Sequence, residues 1–445
     1  MNRLIIRIVG AMVAAVALLS CSEPEPTPPE PSSRALLIGV DGASPKLIRS
    51  MMKNGELPNL SELARTGISG LLRPDYPLLS PRIWTSVATG KQPPKHGIKH
   101  WVRFDEDGRP RLYVSGDRTA HALWNIISDA GKTVGVVNWL VTHPPEKING
   151  VMVTDHLVPG YTDEKLKLAG VFAKGFKNAK EDEEVVAPQR NAAYAYPEEW
   201  VERVGALYND EQPRLVSTEN PFASSDWNHD GLGATLRRDY ASDQLVARTA
   251  LAIDAAIRPD LLMVYLPGID RVSHFIWDGF EPWEAMPPER RLLKISYEKS
   301  RQSLFAYYRF IDAVIGRLME GRSPSDLVMV ISDHGFELGL KEGEMRGSHN
   351  SDKARDGILF ARGRGIPAGW EGQLLSMTDI APTILAWFGL GPPDDMHGRP
   401  ARFLRFAIPA PVQSYETTPI ERLNEVPSDV EDTIIENLKE LGYVE

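Results

Sequence analysis

The sequence predicts an α/β fold in which helices cover both faces of a buried sheet. Two observations lead to this prediction: short apolar runs typical of buried strands recur along the chain, and amphipathic segments with helical periodicity lie between them. The candidate strands span 34–40, 133–137, 151–154, 261–266, 327–331 and 358–361. In folds of this class ligands bind beyond the carboxyl ends of the strands, and Asp41, Asp270 and Asp333 each closely follow a candidate strand.

The predicted helices are located by their start and stop signals and by their apolar periodicity. Ser44-Pro45 and Pro58 each offer a proline for the first turn of a helix, and Gly67 and Gly90 mark helix ends. The candidate helices follow Ser44 and Pro58 and span 83–88, 120–130, 241–257, 294–319 and 378–388.

The length of 445 residues allows either one large elaborated domain or two. Apolar residues make up 42% and charged residues 25% of the chain, as in an ordinary globular protein. We assign residues 34–410 to one domain. The stretch 157–240 within it is polar and poor in strand signals, so we interpret it as an insertion that could cap a site. The tail 411–445 is expected to wrap the surface and to end in a helix over 430–441.

The N-terminus has the pattern of an export signal. Arg3 and Arg7 precede an apolar run of 12 residues, 8–19, which suits a signal-peptide core and is short for a membrane span. The run ends in Leu-Leu-Ser-Cys21, which resembles the lipobox of bacterial lipoproteins. The resemblance implies removal of residues 1–20, lipid attachment to the Cys21 thiol, and anchoring to the bacterial cell envelope in the periplasm or at the cell surface. The alternative is a simple signal peptide with a chance cysteine.

The segment 21–33 and the residue counts limit the partners of the exported chain. Five prolines between residues 22 and 33 predict an extended tether, roughly 35–40 Å long at the rise of polyproline II. Cys21 is the only cysteine, so the body can form no disulfide and any metal would be held by His and carboxylate groups. Removing residues 1–20 takes away two arginines and no acid, which changes the formal charge from −10 to −12. A chain this acidic is not expected to bind nucleic-acid polymers.

Two Asp/His pairs indicate metal chemistry. Asp270 and His274 are four residues apart, so on one helical turn their side chains face the same way. Asp333 and His334 are adjacent and follow the candidate strand 327–331. Carboxylates and imidazoles are ligands for a divalent metal such as zinc, and two pairs suggest two metal positions. The alternatives are a surface Asp/His pair and a buried polar turn.

Three further residues are weaker candidates when each is taken alone. Asp41 lies before a glycine at a strand end, where a turn residue is more common than a ligand, and His349 lies in a predicted loop. Ser80, followed by Pro81, is predicted to be a helix N-cap. A serine at that position also faces free backbone N–H groups, which suit a phosphoryl oxygen.

The order and spacing of these motifs together carry a resemblance. The matching pieces are Gly39-Val40-Asp41-Gly42, Pro58-Asn59-Leu60, Ser80 ten residues before Gly90, Pro94-Lys95-His96-Gly97-Ile98, Asp270 with His274, Asp333-His334-Gly335, His349, Thr378-Asp379-Ile380-Ala381-Pro382-Thr383 and Gly398-Arg399-Pro400. They resemble the alkaline phosphatase superfamily, in particular its type I phosphodiesterase/nucleotide pyrophosphatase family. The resemblance runs from about residue 35 to 402, with a gap over the insertion.

The resemblance implies a fold, a cofactor and a reaction. The implied fold is a central mixed, mostly parallel sheet between helical layers, and 34–410 would be the catalytic domain. One zinc ion would be held by Asp270, His274 and His349, and the other by Asp41, Asp333 and His334, with Ser80 completing the second site as nucleophile. The implied function is two-metal hydrolysis of a small phosphate ester through a covalent phosphoserine.

Two departures from the family pattern bear on the substrate. The diesterases of this family carry Thr-Phe-Pro where this chain has Ser80-Pro81-Arg82, and they carry an Asn where this chain has Trp101. The possible substitutes for that Asn are Arg82, Lys91 and Asn138. Phosphomonoesterase or phosphonate hydrolase activity of the same superfamily is therefore the second hypothesis. A non-catalytic, metal-binding surface lipoprotein is the hypothesis from another class.

Overall fold

A computed structural model of the protein describes residues 34–157, 194–209, 232–286, 294–339 and 346–423, together with Phe222, Pro288 and Ile435. Across these residues, every helix is too short or too polar to cross a lipid bilayer. The predicted signal peptide 1–20, the tether 21–33 and most of the predicted C-terminal helix 430–441 lie outside the described residues.

A nine-stranded sheet forms the centre of the domain, in the order β13-β2-β12-β9-β1-β8-β5-β6-β7. The strands of the described residues are β1 Ala35–Val40, β2 Ile68–Arg73, β3 Val102–Phe104, β4 Pro110–Leu112, β5 Val134–Val137, β6 Gly150–Val153, β7 Ala195–Tyr196, β8 Leu261–Leu266, β9 Leu327–Ile331, β10 Glu337–Leu338, β11 Gly347–Ser348, β12 Gly357–Arg362 and β13 Trp370–Ser376. β3 pairs with β4, and β10 pairs with β11, in two small separate sheets.

The central sheet is mixed and mostly parallel. β9, β1, β8, β5 and β6 run in one direction. β12 is antiparallel to its neighbours β9 and β2, β7 is antiparallel to β6, and β13 is parallel to β2. Every residue of β1, β8 and β9 is buried, as expected for parallel strands covered on both faces. The predicted fold class is confirmed.

Helices pack on both faces of this sheet. Those of the described residues span Pro45–Lys53, Pro58–Thr66, Ser80–Thr89, Pro93–His96, Leu123–Asp129, Glu199–Asn209, Leu232–Ile257, Gly268–Ile276, Lys294–Met319 and Ile380–Trp387, with short 3₁₀ helices at Ser115–Asp117, Trp277–Gly279, Trp283–Ala285 and Met377–Asp379. Alternate residues of β1 enter two apolar cores: Leu36 and Ile38 pack with the long helices on one face, and Leu37 packs on the other with Trp84.

Most predicted elements agree with the structure, with two kinds of exception. The helix predicted from residue 241 begins earlier, at Leu232, inside the predicted insertion. The strands β2 and β13 were not predicted, because each is partly polar and contains glycine. Gly70 of β2 has no room for a side chain, since a Cβ there would overlap the backbone of Gln373 on β13.

Part of the predicted insertion 157–240 is described, and it extends the body of the domain. β7 adds to the edge of the central sheet beside β6. The helix Glu199–Asn209 buries Trp200 and Val204 in the same apolar core as β1. In the tail, Ile435 is buried against Val102 and Leu112. The domain boundaries and the capping role of the insertion stay predictions.

Candidate metal centre

Three adjacent strands bring the predicted carboxylates to one edge of the sheet. β8, β1 and β9 are neighbours and run parallel, so their carboxyl ends meet. Asp41 directly follows β1, Asp333 lies two residues after β9, and Asp270 lies in the first turn of the helix that follows β8. Gly42 turns away with a φ of 67°, and a Cβ there would crowd Asp270, so the turn after Asp41 requires glycine.

Asp270, His274 and His349 form one candidate ligand group, with one atom of each within 4.8 Å of the others. Asp270 Oδ2 lies 3.6 Å from His274 Nε2, and Asp270 Oδ1 lies 3.9 Å from His349 Nε2. His274 Nδ1 lies 3.2 Å from the carbonyl oxygen of Gly347. A proton on Nδ1 would donate to that carbonyl and would leave the Nε2 lone pair directed at the site.

A second candidate group consists of Asp41, Asp270 and His334. His334 Nε2 lies 3.5 Å from Asp41 Oδ1, 3.8 Å from Asp270 Oδ1 and 3.4 Å from Asp333 Oδ2. The rings of His334 and His349 stack with centroids 4.0 Å apart, so the two groups are contiguous. Asp270 belongs to both groups, whereas the resemblance assigns it to one.

Asp41, Asp333 and His334, like His274, are each held by one atom and direct another into the site. Asp41 Oδ2 accepts hydrogen bonds from the Tyr265 hydroxyl and, at 3.3 Å, from Trp84 Nε1. Asp333 Oδ1 accepts the backbone N–H of Gly42 and of His334, both at 3.1 Å. His334 Nδ1 lies 3.0 Å from the carbonyl of Gly335, to which it can donate. This second layer fixes the direction of the remaining atoms.

The remaining atoms fit bound cations. Five of them are buried and have no hydrogen-bond partner among the described residues: Asp41 Oδ1, Asp270 Oδ1, Asp333 Oδ2, His274 Nε2 and His334 Nε2. Leaving buried carboxylate and imidazole atoms unpaired is costly, and a divalent cation would satisfy all of them. The donor set of imidazole nitrogen and carboxylate oxygen matches the preference of zinc.

The electrostatics of the site agree with this fit. Burial, reinforced by the neighbouring Asp41, raises the pKa of Asp270 and of Asp333 well above the usual range. Burial lowers the pKa of His274 to about 4 and that of His349 well below its usual value. The imidazoles are therefore held neutral, which is the form that binds a metal. A bound cation would offset the raised carboxylate pKa values.

Ser80 is the first residue of the helix Ser80–Thr89 and is 6% exposed. The N-cap is Leu79, and no side chain caps this helix, so the predicted N-cap role of Ser80 is wrong by one position. Within the described residues its hydroxyl makes no hydrogen bond. Trp84, one turn later, contacts Asp41, and residues four apart share a helix face. Ser80 therefore lies on the face of the helix directed at Asp41.

Comparison with protein families decides the affiliation. A family model described as type I phosphodiesterase / nucleotide pyrophosphatase matches residues 35–352. The chain belongs to this family. It is accordingly a phosphoester hydrolase of the alkaline phosphatase superfamily, and enzymes of this family typically depend on two divalent metals. No curated protein sequence is significantly similar to the chain.

Solved structures resemble this chain at low sequence identity. A putative sulfatase from Bacteroides thetaiotaomicron is 14% identical, with a TM-score of 0.52 over 84% of this chain and 74% of its own. An inactive variant of murine ectonucleotide pyrophosphatase/phosphodiesterase 5 in complex with AMP is 11% identical, with a TM-score of 0.46 over 84% and 98%. A phosphonate monoester hydrolase from Silicibacter pomeroyi is 18% identical, with a TM-score of 0.44 over 84% and 77%.

Trp101, at the position of the family asparagine, and the three residues considered as substitutes for that asparagine have other partners or positions. Trp101 packs against the β3–β4 hairpin. Lys91 is buried and pairs with Asp395 and Glu416 at 2.7 and 2.6 Å. Asn138 donates to the carbonyl of Tyr265 at 3.1 Å. Arg82 follows Ser80 by two helical positions, which places it on the opposite side of that helix.

Two of the family motifs build the framework around the site. His96 Nδ1 accepts the N–H of Ile98, and His96 Nε2 lies 3.0 Å from the Ser86 hydroxyl, which ties the loop to the Ser80–Thr89 helix. In the last motif, a Cβ on Gly398 would overlap the carbonyl of Thr378. Thr383 accepts the N–H of Ala401 at 2.8 Å. These motif positions serve packing, while the candidate ligands lie at the strand ends.

Sequence reasoning missed Trp84, Tyr265 and Phe336. The Phe336 ring packs against the rings of His274, His334 and His349 with centroids 5.1 to 5.9 Å apart, and so walls the ligand cluster. Tyr265 and Trp84 were read as ordinary apolar residues of a strand and a helix. Nothing in their local pattern shows that each donates to Asp41.

Proposed function

We propose that the protein is a two-metal hydrolase of phosphate esters, of the phosphodiesterase/nucleotide pyrophosphatase type, that works through a covalent phosphoserine at Ser80. The observation that carries the proposal is the convergence of unpaired, buried ligand atoms at the ends of β8, β1 and β9. Asp270, His274 and His349 would hold one ion, and Asp41, Asp333 and His334 the other, with Ser80 beside it. Zinc is the ion whose ligand preferences this set matches best.

The residues supply distinct parts of the reaction. Divalent ions bound here would lower the pKa of the serine hydroxyl and offset the charge on the departing oxygen. The Ser80 hydroxyl gives up its proton and Oγ attacks phosphorus in line. The bond to the departing oxygen breaks, that oxygen takes up a proton and leaves as an alcohol, and the phosphoryl group stays on the serine. In the second step water attacks this phosphorus, the bond to Ser80 Oγ breaks, Oγ takes back a proton, and the phosphate product is released. The first turn of the Ser80–Thr89 helix offers free N–H groups to a phosphoryl oxygen.

The proposed ligand histidines do not need to act as bases. His274 and His334 have Nδ1 occupied by backbone carbonyls, and burial holds the pKa of His274 at about 4. A histidine with that pKa accepts no proton near neutral pH. Serine activation therefore depends on bound cations, which distinguishes the proposed mechanism from a Ser-His-Asp triad.

Metal analysis and one variant test the chemistry. We expect about two divalent ions per chain, and we expect Ser80→Ala to abolish turnover while metal content stays near normal, because the serine contributes the nucleophile and the other ligands remain. Undiminished turnover in the variant would refute the nucleophile assignment. Fewer than one ion per chain in the wild type would favour a non-catalytic surface protein.

The substrate class is tested by rate comparison. Family membership supports a phosphodiester or a nucleotide with a pyrophosphate bond as substrate, so bis-p-nitrophenyl phosphate should be turned over faster than p-nitrophenyl phosphate or the phenyl phosphonate ester. A faster rate on the monoester or on the phosphonate ester would favour the second hypothesis. Trp101, in place of the family asparagine, makes this comparison informative.

The N-terminal pattern supports a proposed location. We propose export and lipid anchoring through Cys21 to the bacterial cell envelope. In a fractionation experiment the wild type should sediment with membranes, and Cys21→Ala should move to the soluble fraction or stay unprocessed. Identical membrane association of both proteins would count against the anchor.

A further inference from the structure

The helix that carries Asp270 and His274 begins at a buried carboxylate. This helix, Gly268–Ile276, is met at its first residue by Asp243, which projects from the long helix Leu232–Ile257 and is fully buried. Asp243 accepts a hydrogen bond from the backbone N–H of Gly268. The hydroxyl of Tyr307 donates to Asp243 Oδ2 at 2.9 Å, so the carboxylate is itself held in place.

The contact leaves no room for adjustment. A Cβ on Gly268 would overlap both the Tyr307 hydroxyl and the Asp243 carboxylate, so glycine at this position lets the three groups meet. Burial raises the pKa of Asp243 to about 7, which shows that the environment disfavours its charged form. A buried carboxyl group is a costly way to fill space, and an apolar side chain would pack there more cheaply. What the carboxylate adds is direction, because its hydrogen bond fixes where the helix starts.

A second contact from the same long helix supports this placement. Arg271, next to Asp270, lies 3.5 Å from Asp239, which precedes Asp243 by one helical turn. The helix Leu232–Ile257 therefore contacts the helix Gly268–Ile276 on either side of Asp270, at the N–H of Gly268 and at the guanidinium of Arg271. Rotation of the helix Gly268–Ile276 would break both contacts.

We propose that Asp243, held by Tyr307, is a positioning residue that sets the start and rotation of the Gly268–Ile276 helix so that Asp270 and His274 reach one metal ion. The inference rests on the two-metal centre of the proposed function. One ion would lose two ligands with this helix, Asp270 and His274, whereas the other would lose at most the shared Asp270. The other ion keeps Asp41, Asp333 and His334, which come from the ends of β1 and β9. Loss of Asp243 or of the Tyr307 hydroxyl should therefore weaken one of two bound ions more than the other.

The chain offers a matched control in Asp312. Asp312 is also buried, at 2% exposure, and accepts the N–H groups of Asn59 and Leu60 at 3.1 and 2.8 Å at the start of the helix Pro58–Thr66. That helix carries none of the proposed ligands. Asp243→Ala and Asp312→Ala thus remove the same kind of hydrogen-bond acceptor from the same kind of helix start, with and without a metal site on the helix.

The experiment dialyses the full chain, loaded with zinc, against increasing chelator and counts the ions retained per chain. We expect the wild type and Asp312→Ala to keep two ions. Asp243→Ala, which removes the acceptor for the Gly268 N–H, and Tyr307→Phe should lose one ion at a chelator activity about 10- to 100-fold lower, the usual range for residues that orient ligands. Asp312→Ala should lower only the unfolding temperature.

The outcomes separate the inference from its premise. A wild type that binds two ions, together with Asp243→Ala and Tyr307→Phe chains that release them as Asp312→Ala does, would overturn the positioning role alone. A wild type that binds no metal would overturn the proposed function and this inference with it. Tyr307→Phe removes a single oxygen, so the test survives even if the Asp243 variant fails to fold.

Discussion

Two clusters of buried charged residues in this domain differ in whether their carboxylate oxygens have partners. Glu146 is fully buried, yet one of its oxygens pairs with Arg118 and the other accepts N–H groups from Trp124 at 2.8 Å and Asn125 at 2.7 Å. At the metal centre, each of the three aspartates keeps one oxygen without a partner among the described residues. The chain can complete a buried carboxylate with its own side chains, so three incomplete ones that converge with histidine nitrogens indicate a place for a cation.

The pKa values follow the same contrast. At Glu146 burial alone would raise the pKa, but Arg118 and the two side-chain donors lower it below its usual value. At Asp270 and Asp333 burial and Asp41 raise the pKa well above the usual range. A structural carboxylate is thus stable as an anion without any ligand, whereas those of the metal centre need an added positive charge.

The largest predicted effect is at Asp270, which belongs to both ligand groups. Asp270→Ala should lower kcat/KM by about 10³-fold or more, because bound metal supplies several kcal/mol of catalysis and each ~1.4 kcal/mol is tenfold. Steady-state rates and metal content measured together check this. His274→Ala is the control, since His274 belongs to one group and its loss should spare one ion. Equal metal loss in both variants would contradict a shared role for Asp270.

The sequence predicted the candidate ligands of this centre better than the residues that hold those ligands in place. Asp41, Asp270 and Asp333 could be placed together because the ends of parallel strands share one edge of the sheet. Tyr265 could not be predicted as a partner of Asp41, because its position depends on the register that sets it beside Gly39. Gly39 lacks the side chain that would overlap the Trp84 ring, which explains how Trp84 also reaches Asp41.

The unpredicted parts of the fold have a similar cause. β2 and β13 are recognisable as strands only through each other, since Gly70 on one accommodates the backbone of the other. Asp243 looks like an ordinary polar residue of an amphipathic helix, and its contact with Gly268 arises from the packing of two helices. Local pattern therefore located the strand ends and the candidate ligands, while side chains whose role depends on tertiary contacts were not recognised.

The next largest effect is predicted at Glu146, in the buried cluster whose polar atoms are paired. Glu146→Gln should destabilise the fold by about 3–5 kcal/mol, because Arg118 is left as a buried charge without its counterion. Metal content of the folded fraction should not change. The control is Glu56→Gln, which breaks the more exposed pair with Arg309 and should cost no more than about 1 kcal/mol. Urea unfolding of both variants measures the difference in stability. Metal loss in Glu146→Gln would contradict a purely structural role for the Glu146 cluster.

The smallest predicted effect concerns His143 and His156, which lie outside both clusters and stack with ring centroids 3.9 Å apart. Burial lowers the pKa of His156 to about 4, and burial together with the neighbouring His156 ring lowers that of His143 to about 3. The unfolded chain takes up these protons below about pH 6.5, while the folded chain does so only near pH 3–4. More protons bind to the unfolded state in that window, so stability should fall as pH drops from about 6.5 towards 4.

His156→Gln should remove part of this pH dependence. Between pH 7 and pH 5 the wild type should lose about 1–2 kcal/mol more stability than the variant, as followed by urea unfolding at the two pH values. Burial also raises the pKa of the neighbouring Asp155, which acts in the opposite direction. Asp155 is present in both proteins, so its contribution largely cancels in the comparison. Parallel pH profiles for the two proteins would show that this histidine pair is already charged or solvated in the folded state, unlike the neutral imidazoles of the metal centre.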